Sequence, residues 1–110
     1  MEKVQIRMDL QKLSNLRKKN YDNHQNLDHC GNQKSFYGKA YRALDKTKRY
    51  IALFSYETLI CVFDTKVNLL HVDRNYINYS ATTRRHQAGF FDDIFSPEVS
   101  LNVYDRLRNE

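Results

Sequence analysis

Hydrophobic and polar positions change their period along this chain, and the changes mark its elements. In residues 50–54, Tyr50, Ala52 and Phe54 share one parity and Ile51 and Leu53 the other. A period of two predicts a strand. "LICVF", residues 59–63, is apolar and rich in β-branched side chains, which predicts a strand in the middle of a sheet. "SFYGKAYRAL" opens a strand before these two and "LLHVD" supplies one after them. Asp45-Lys46-Thr47-Lys48, "SYET" and "DTKVN" are the breaks between. The expectation is a four-stranded antiparallel meander over residues 35–74.

The flanks read as helices. Ile6, Leu10, Leu13 and Leu16 fit one helical face, Asp9 is a possible cap, and Lys18 and Lys19 suit a last turn, so a helix is expected over 9–20. Val4, Ile6, Met8 and Leu10 also alternate, so residues 1–8 fit a strand or a helix. Residues 20–34 are polar and rich in Asn, and read as a long loop. After "RNYINY", Ser80 or Thr82 can cap a helix over 80–95, with Ala88, Phe91, Ile94 and Phe95 as its apolar stripe. Gly89 within that helix suits close approach to a sheet. Ser96-Pro97-Glu98 is a restart signal for a helix over 97–108, buried by Val99, Val103 and Leu107. The fold class expected is α+β, a single domain over 1–110. Its meander has helices packed on one face, flanked by N- and C-terminal helices.

Composition sharpens the picture in two places. With 110 residues, 41% of them hydrophobic, the chain can build one small core, and 3 Gly and 1 Pro exclude a linker. Lys+Arg 18 against Asp+Glu 13 gives +5 and a pI near 9.3, a surplus that favours acidic partners and also keeps a small domain soluble. No apolar run approaches a membrane span or signal peptide, so no membrane partner and a cytoplasmic location are expected. Cys30 and Cys61 lack CxxC spacing and read as free thiols.

The candidate chemistry centres on "YSATTRRHQAGFF", Tyr79–Phe91. Arg84 and Arg85 stand in the first turn of the expected helix, where the backbone already carries partial positive charge. An anion would reverse that cost, with Ser80, Thr82, Thr83 and Arg84 as an anion-binding helix start; alternatively Ser80 and Thr83 only cap, and the arginines pair with Asp73 or Glu57. His86 lies one turn after Thr82 and can meet "SYET" across the sheet, either as part of a Tyr56–His86–Thr cluster or as a buried histidine satisfied by Thr58 or a carbonyl. "HQNLDHC" supplies His24, Asp28, His29 and Cys30, to which Cys61 or His71 could be added, at a spacing that matches no zinc pattern. No metal and no cofactor are expected. Basic residues Arg17, Lys18, Lys19, Lys46, Lys48, Arg49, Arg84 and Arg85 stand near Tyr21, Tyr50 and Tyr79, an interleaving that suits a nucleic-acid backbone and its bases.

"NQKSFYGKAY", "LFSYETLICVFD" and "YSATTRRHQAGFF" together resemble a family of small uncharacterised phage and plasmid proteins of Gram-positive bacteria, with a "KSFYxKA", "SYxT" and "YSxTTxxH" pattern. The matching positions are Lys34, Ser35, Phe36, Tyr37, Lys39 and Ala40; Ser55, Tyr56 and Thr58; and Tyr79, Ser80, Thr82, Thr83 and His86. Gln87 stands where that pattern has an apolar β-branched residue. The resemblance spans roughly 33–95 and implies a mobile-element setting in a bacterial host cell, with no established activity. No carboxylate pair or nucleophile–base motif points to an enzyme. The sequence therefore points to a nucleic-acid-binding accessory protein acting through Arg17–Lys19, Lys46–Tyr50 and Arg84–Arg85. The alternative is an inhibitor of a host protein, such as an anti-CRISPR, that binds an acidic partner directly or inserts the loop 20–34.

Overall fold

The computed structural model describes residues 3–27 and 39–108. Its elements are β1 (Gln5–Arg7), a 3-10 turn (Leu10–Lys12), α1 (Ser14–Arg17), β2 (Asp22–Asn26), β3 (Ala40–Leu44), β4 (Tyr50–Ser55), β5 (Thr58–Asp64), β6 (Leu69–Val72), α2 (Ala81–Ile94) and α3 (Pro97–Arg108). The strands form one six-stranded sheet in the order β1-β6-β5-β4-β3-β2. The fold class is α+β, and the expected meander is its interior, β3 to β6, with every neighbouring pair antiparallel.

The sheet is wider than the meander because two strands join through backbone pairing that side-chain pattern does not announce. β1 runs parallel to β6, with Gln5 opposite Leu69 and Arg7 opposite His71. β2 pairs antiparallel with β3 from within the expected polar loop, Asp22 opposite Leu44 and Asn26 opposite Tyr41. Its sequence, Asp-Asn-His-Gln-Asn, has no apolar alternation, and as an edge strand it needs none on its solvent side. Residues 28–34 of that loop, and residues 35–38 at the expected start of β3, lie outside the described residues.

Both faces of the sheet are covered. On one, Phe90 and Phe91 of α2 and Val103 and Leu107 of α3 pack on Leu53, Cys61, Leu70 and Val72. On the other, Leu10, Leu16 and Tyr21 pack on Ala43, Ala52 and Val62. The alternation in β4 explains the division: Ile51 and Leu53 join the first cluster, Tyr50, Ala52 and Phe54 the second. The helix expected over 9–20 is instead the 3-10 turn and the short α1, joined at Leu13. Asp9 makes no cap; its carboxylate lies 2.9 Å from His71 Nδ1. Helices therefore do not all sit on one face. The N-terminal segment closes the second face with Leu10, fully buried, as its plug.

The C-terminal helices follow the sequence closely. Ser80 caps α2 by accepting from Thr83 N–H at 3.1 Å. Phe90 and Phe91 are fully buried, and burying one such ring is worth about 1.5–3 kcal/mol. Val99 N–H donates to Ser96 Oγ at 3.4 Å, and α3 starts at Pro97 as expected.

Because Leu10 seals the second face, Leu10→Ala is expected to lower the free energy of unfolding in urea by about 2–5 kcal/mol. A change below ~1 kcal/mol would mean that the N-terminal segment adds little to the core.

Candidate functional site

At the end of the sheet beside the start of α2, three separate stretches of chain meet. The first is the β4–β5 hairpin. Ser55 pairs with Thr58, so Tyr56 and Glu57 form a two-residue turn, and both have positive φ, 50° and 70°. That is the sign pattern of a type I′ turn, which Asn-Gly adopts readily and which costs bulkier residues about 1–3 kcal/mol each. The second is Lys39, whose carbonyl accepts from Tyr56 N–H at 2.8 Å. The third runs from Tyr76 into α2.

Ser55 points toward α2 because it continues the parity of Ile51 and Leu53. Its Oγ lies 2.7 Å from Nδ1 of His86, and the pair is buried. His86 is only 1% exposed, under the ring of Tyr56 at 5.6 Å between centroids. Burial, and secondarily the charge of Lys39, push the histidine below its ordinary pKa. The neutral ring that burial favours can accept the Ser55 O–H at Nδ1. The sequence pairs His86 with "SYET"; the hydroxyl that meets it is that of Ser55, not Thr58. In a two-residue hairpin Ser55 and Thr58 stand opposite each other, and only Ser55 lies under the helix.

A cavity of about 290 Å³ opens above this pair. Thr58 and Ile60 form its floor on β5, where a bulge at Ile60, opposite the Leu53–Phe54 step of β4, lets Ile60 and Cys61 both join the core of the α2 side. Tyr56, Tyr76, Tyr79 and Thr83 form its walls. Thr83 Oγ1 is engaged with Ser80 Oγ at 3.1 Å. The segment carrying Tyr76 and Tyr79 is clamped from below by Asn78, at φ 57°. Asn78 N–H donates to Gln87 Oε1 at 2.7 Å, Gln87 Nε2 donates back to Asn78 Oδ1 at 3.0 Å, and Asn78 Nδ2 donates to the Leu107 carbonyl at 2.8 Å. Gln87 is thus a fully buried amide with its partners in place.

The basic residues divide between two ends of the sheet. Arg84 and Arg85 are exposed beside the cavity; no acidic residue stands in the first turn of α2, and neither forms an ion pair among the described residues. Arg84 donates only to the Asn78 carbonyl, at 3.5 Å. Asp73 and Glu57, the alternative partners, do not reach them; Asp73 accepts from Asn75 N–H. Thr82 is half-buried and takes no part in the cap.

The other basic residues gather at the opposite end of β4, roughly 17 Å away at ~3.3 Å per residue. There Arg49 grips Asp64 through two bonds, at 2.9 and 2.8 Å, and holds that carboxyl below its usual range. Lys19 lies 3.7 Å from Asp45. Burial raises the Asp45 pKa, but bonds from Thr47 and from Tyr50 N–H, with the Lys19 charge, bring it below the ordinary value. Tyr50 takes both cations on its ring, Lys19 at 5.3 Å and Arg49 at 4.9 Å. Lys46, Lys48, Arg17 and Lys18 are exposed around this knot. The two basic regions read from the sequence are therefore not one continuous patch.

Among the described residues no group of three or more His, Cys, Asp or Glu could hold a metal. Asp28, His29 and Cys30 lie outside them, and Cys61 is a buried free thiol whose pKa burial pushes up. No helix among the described residues is long and apolar enough to cross a membrane.

The chain belongs to a family of unknown function, DUF8033, which it matches over residues 8–106. The match takes in the hairpin, the cavity, α1, α2 and all but the last two residues of α3. No curated protein and no solved structure matches it.

The depressed pKa of His86 has a thermodynamic consequence. Below about pH 6.5 the unfolded chain binds this proton while the folded chain resists it, so stability rises with pH in that window. The contribution is fully present above ~6.5 and is lost as pH falls toward the folded-state value. In urea titrations from pH 7.5 to 5.5, His86→Gln is expected to lose less stability on acidification than the unsubstituted protein. Equal losses would show that His86 does not titrate differently on folding.

Proposed function

We propose that the protein is a non-enzymatic accessory protein of a phage or plasmid, and that it binds nucleic acid through a basic surface centred on the start of α2. The observation that supports this most is the pair Arg84 and Arg85. Three cations elsewhere are used within the fold, Arg49 on Asp64, Lys19 on Asp45, and Arg42 on Asp93 at 3.1 Å, and the exposed Lys46, Lys48, Arg17 and Lys18 lie away from any helix start of eight residues or more. Arg84 and Arg85 stand against the helix dipole, exposed, with no carboxylate to offset them. Each such placement costs a few tenths to ~1 kcal/mol at a surface, and a phosphate would reverse the sign. Arginine's planar fork suits phosphate oxygens. The net charge of +5 adds the long-range attraction.

The mobile-element setting rests on the resemblance of the three motifs. Their residues Lys39, Ser55, Tyr56, Thr58, Tyr79, Thr83 and His86 are the ones that meet around the cavity. Ser55 and His86 serve in this reading as the buried bond that fixes α2 against the hairpin. Lys46 and Lys48 add general attraction, while Arg49, Lys19 and Tyr50 serve the turn.

Binding of labelled oligonucleotides, followed by anisotropy across a salt series, tests this. The protein is expected to bind with an affinity that falls steeply with salt. Arg84→Ala/Arg85→Ala should weaken binding at least tenfold and flatten the log–log salt slope by about 1.5, the loss of two phosphate contacts. Lys46→Ala/Lys48→Ala should weaken it less. Absence of binding at low salt would overturn the proposal and favour an acidic host protein, such as the target of an anti-CRISPR, as the partner of the same arginines.

A further inference from the structure

The cavity beside Arg84 and Arg85 has a composition that a phosphate contact alone does not explain. Five large apolar side chains are exposed among the described residues, and three of them, Tyr56 at 58%, Tyr76 at 43% and Tyr79 at 75%, stand around this one cavity. A tyrosine in a core is held by packing; these three leave roughly two fifths to three quarters of their surface to solvent.

Tyr56 is also held where the backbone resists it. A type I′ turn favours Asn-Gly, and here both positions carry bulky side chains at positive φ. Relaxing the turn would remove the ring from the cavity wall. Strain of this kind persists where the side chain itself is needed.

The hydrogen-bonding groups divide in the same sense. Ser55 is engaged with His86 and Thr83 with Ser80. The hydroxyls of Thr58, Tyr56, Tyr76 and Tyr79 form no hydrogen bond with other described residues. A rim of unengaged hydroxyls over an apolar floor, Ile60, suits a planar ring whose faces stack and whose edges hydrogen-bond. At about 290 Å³ the cavity lies at the small end of ligand sites, enough for one ring system and too narrow for a duplex.

We infer that the cavity seats a single unpaired nucleobase, stacked against the exposed tyrosines, while Arg84 and Arg85 hold the flanking phosphates. This rests on the nucleic-acid reading above and deepens it. A base within a duplex has its faces covered by neighbours and its edge paired, so the site selects single strands, or a base displaced from the stack. Tyr79, the most exposed of the three rings, is assigned the principal stacking contact, with Tyr56 as the opposing wall.

Competition binding at one fixed salt concentration tests it, with an oligothymidylate single strand, its duplex with oligoadenylate, and a duplex carrying one unpaired thymine. The single strand and the interrupted duplex are expected to bind about tenfold or more tighter than the intact duplex. Tyr79→Ala should erase most of that difference while leaving the weak, salt-dependent binding to intact duplex in place. The double substitution Tyr56→Asn/Glu57→Gly should raise the midpoint of thermal unfolding and still reduce the preference, so a loss there is not a loss of folding. Equal binding of all three oligonucleotides, or a preference untouched in Tyr79→Ala, would overturn the base-seating inference and leave the nucleic-acid reading standing. If none of the three binds at low salt, both fall.

Discussion

The antiparallel pairing of β4 with β5 is the constraint on which the rest of the molecule depends. These strands lie inside the sheet with both faces covered, so their register decides which side chains meet the helices and which meet the N-terminal segment. Ile51 opposite Phe63 and Leu53 opposite Cys61 supply the floor for Phe90 and Phe91. Ala52 opposite Val62 supplies the surface for Leu10 and Leu16. A slip of one residue would exchange the two faces. It would also turn Ser55 away from His86, so the candidate site and the core share one determinant.

Two local features convert that pairing into a cavity rather than a filled interface. The bulge at Ile60 places an extra apolar side chain on the α2 side, and the tight turn at Tyr56-Glu57 ends the hairpin abruptly. Beyond this point the contacts are polar: Ser55 with His86 joins the sheet to α2, while Ser80 with Thr83 and the amide pair of Asn78 and Gln87 fix the segment that leads into the helix. Buried polar networks of this sort fix orientation when every member is satisfied. No buried side-chain polar atom among the described residues lacks a partner. The walls are therefore set by hydrogen bonds, while hydrophobic packing lies deeper, under Phe90 and Phe91.

Much of the interior was legible from the sequence because it obeys local rules. The parity of Tyr50–Phe54, the apolar run of β5, the cap at Ser80 and the Ser-Pro-Glu restart each specify one structure with few competitors. What was not legible depends on partners far away in sequence. β2 has no apolar alternation, and its place at the edge is given by backbone pairing with β3. β1 pairs in parallel with β6 across more than sixty residues, Gln5 with Leu69. The N-terminal segment offered both a period of two and a period near 3.6, and it uses each in turn: strand through Arg7, then helical turns that bury Leu10 and Leu16. At the site, the meeting of His86 with the hairpin followed from spacing, but the choice of Ser55 over Thr58, its partner on the same face, follows from α2 packing over β4 and β3. The pairing of Arg49 with Asp64 and Lys19 with Asp45 needed the register of two hairpins, and it reassigns side chains that composition alone groups with Arg84 and Arg85.

The central claim is that recognition takes place where Lys39, the β4–β5 hairpin and the start of α2 converge, and not at the basic turn between β3 and β4. Titration of the isotopically labelled protein with a short single-stranded oligonucleotide, followed by amide chemical shifts, tests it most directly. The account predicts that the largest shifts fall on Lys39, Ser55–Thr58 and Tyr76–His86, with little change from Asp45 to Tyr50. Shifts concentrated at Lys46–Arg49, or spread evenly over the surface cations, would contradict it.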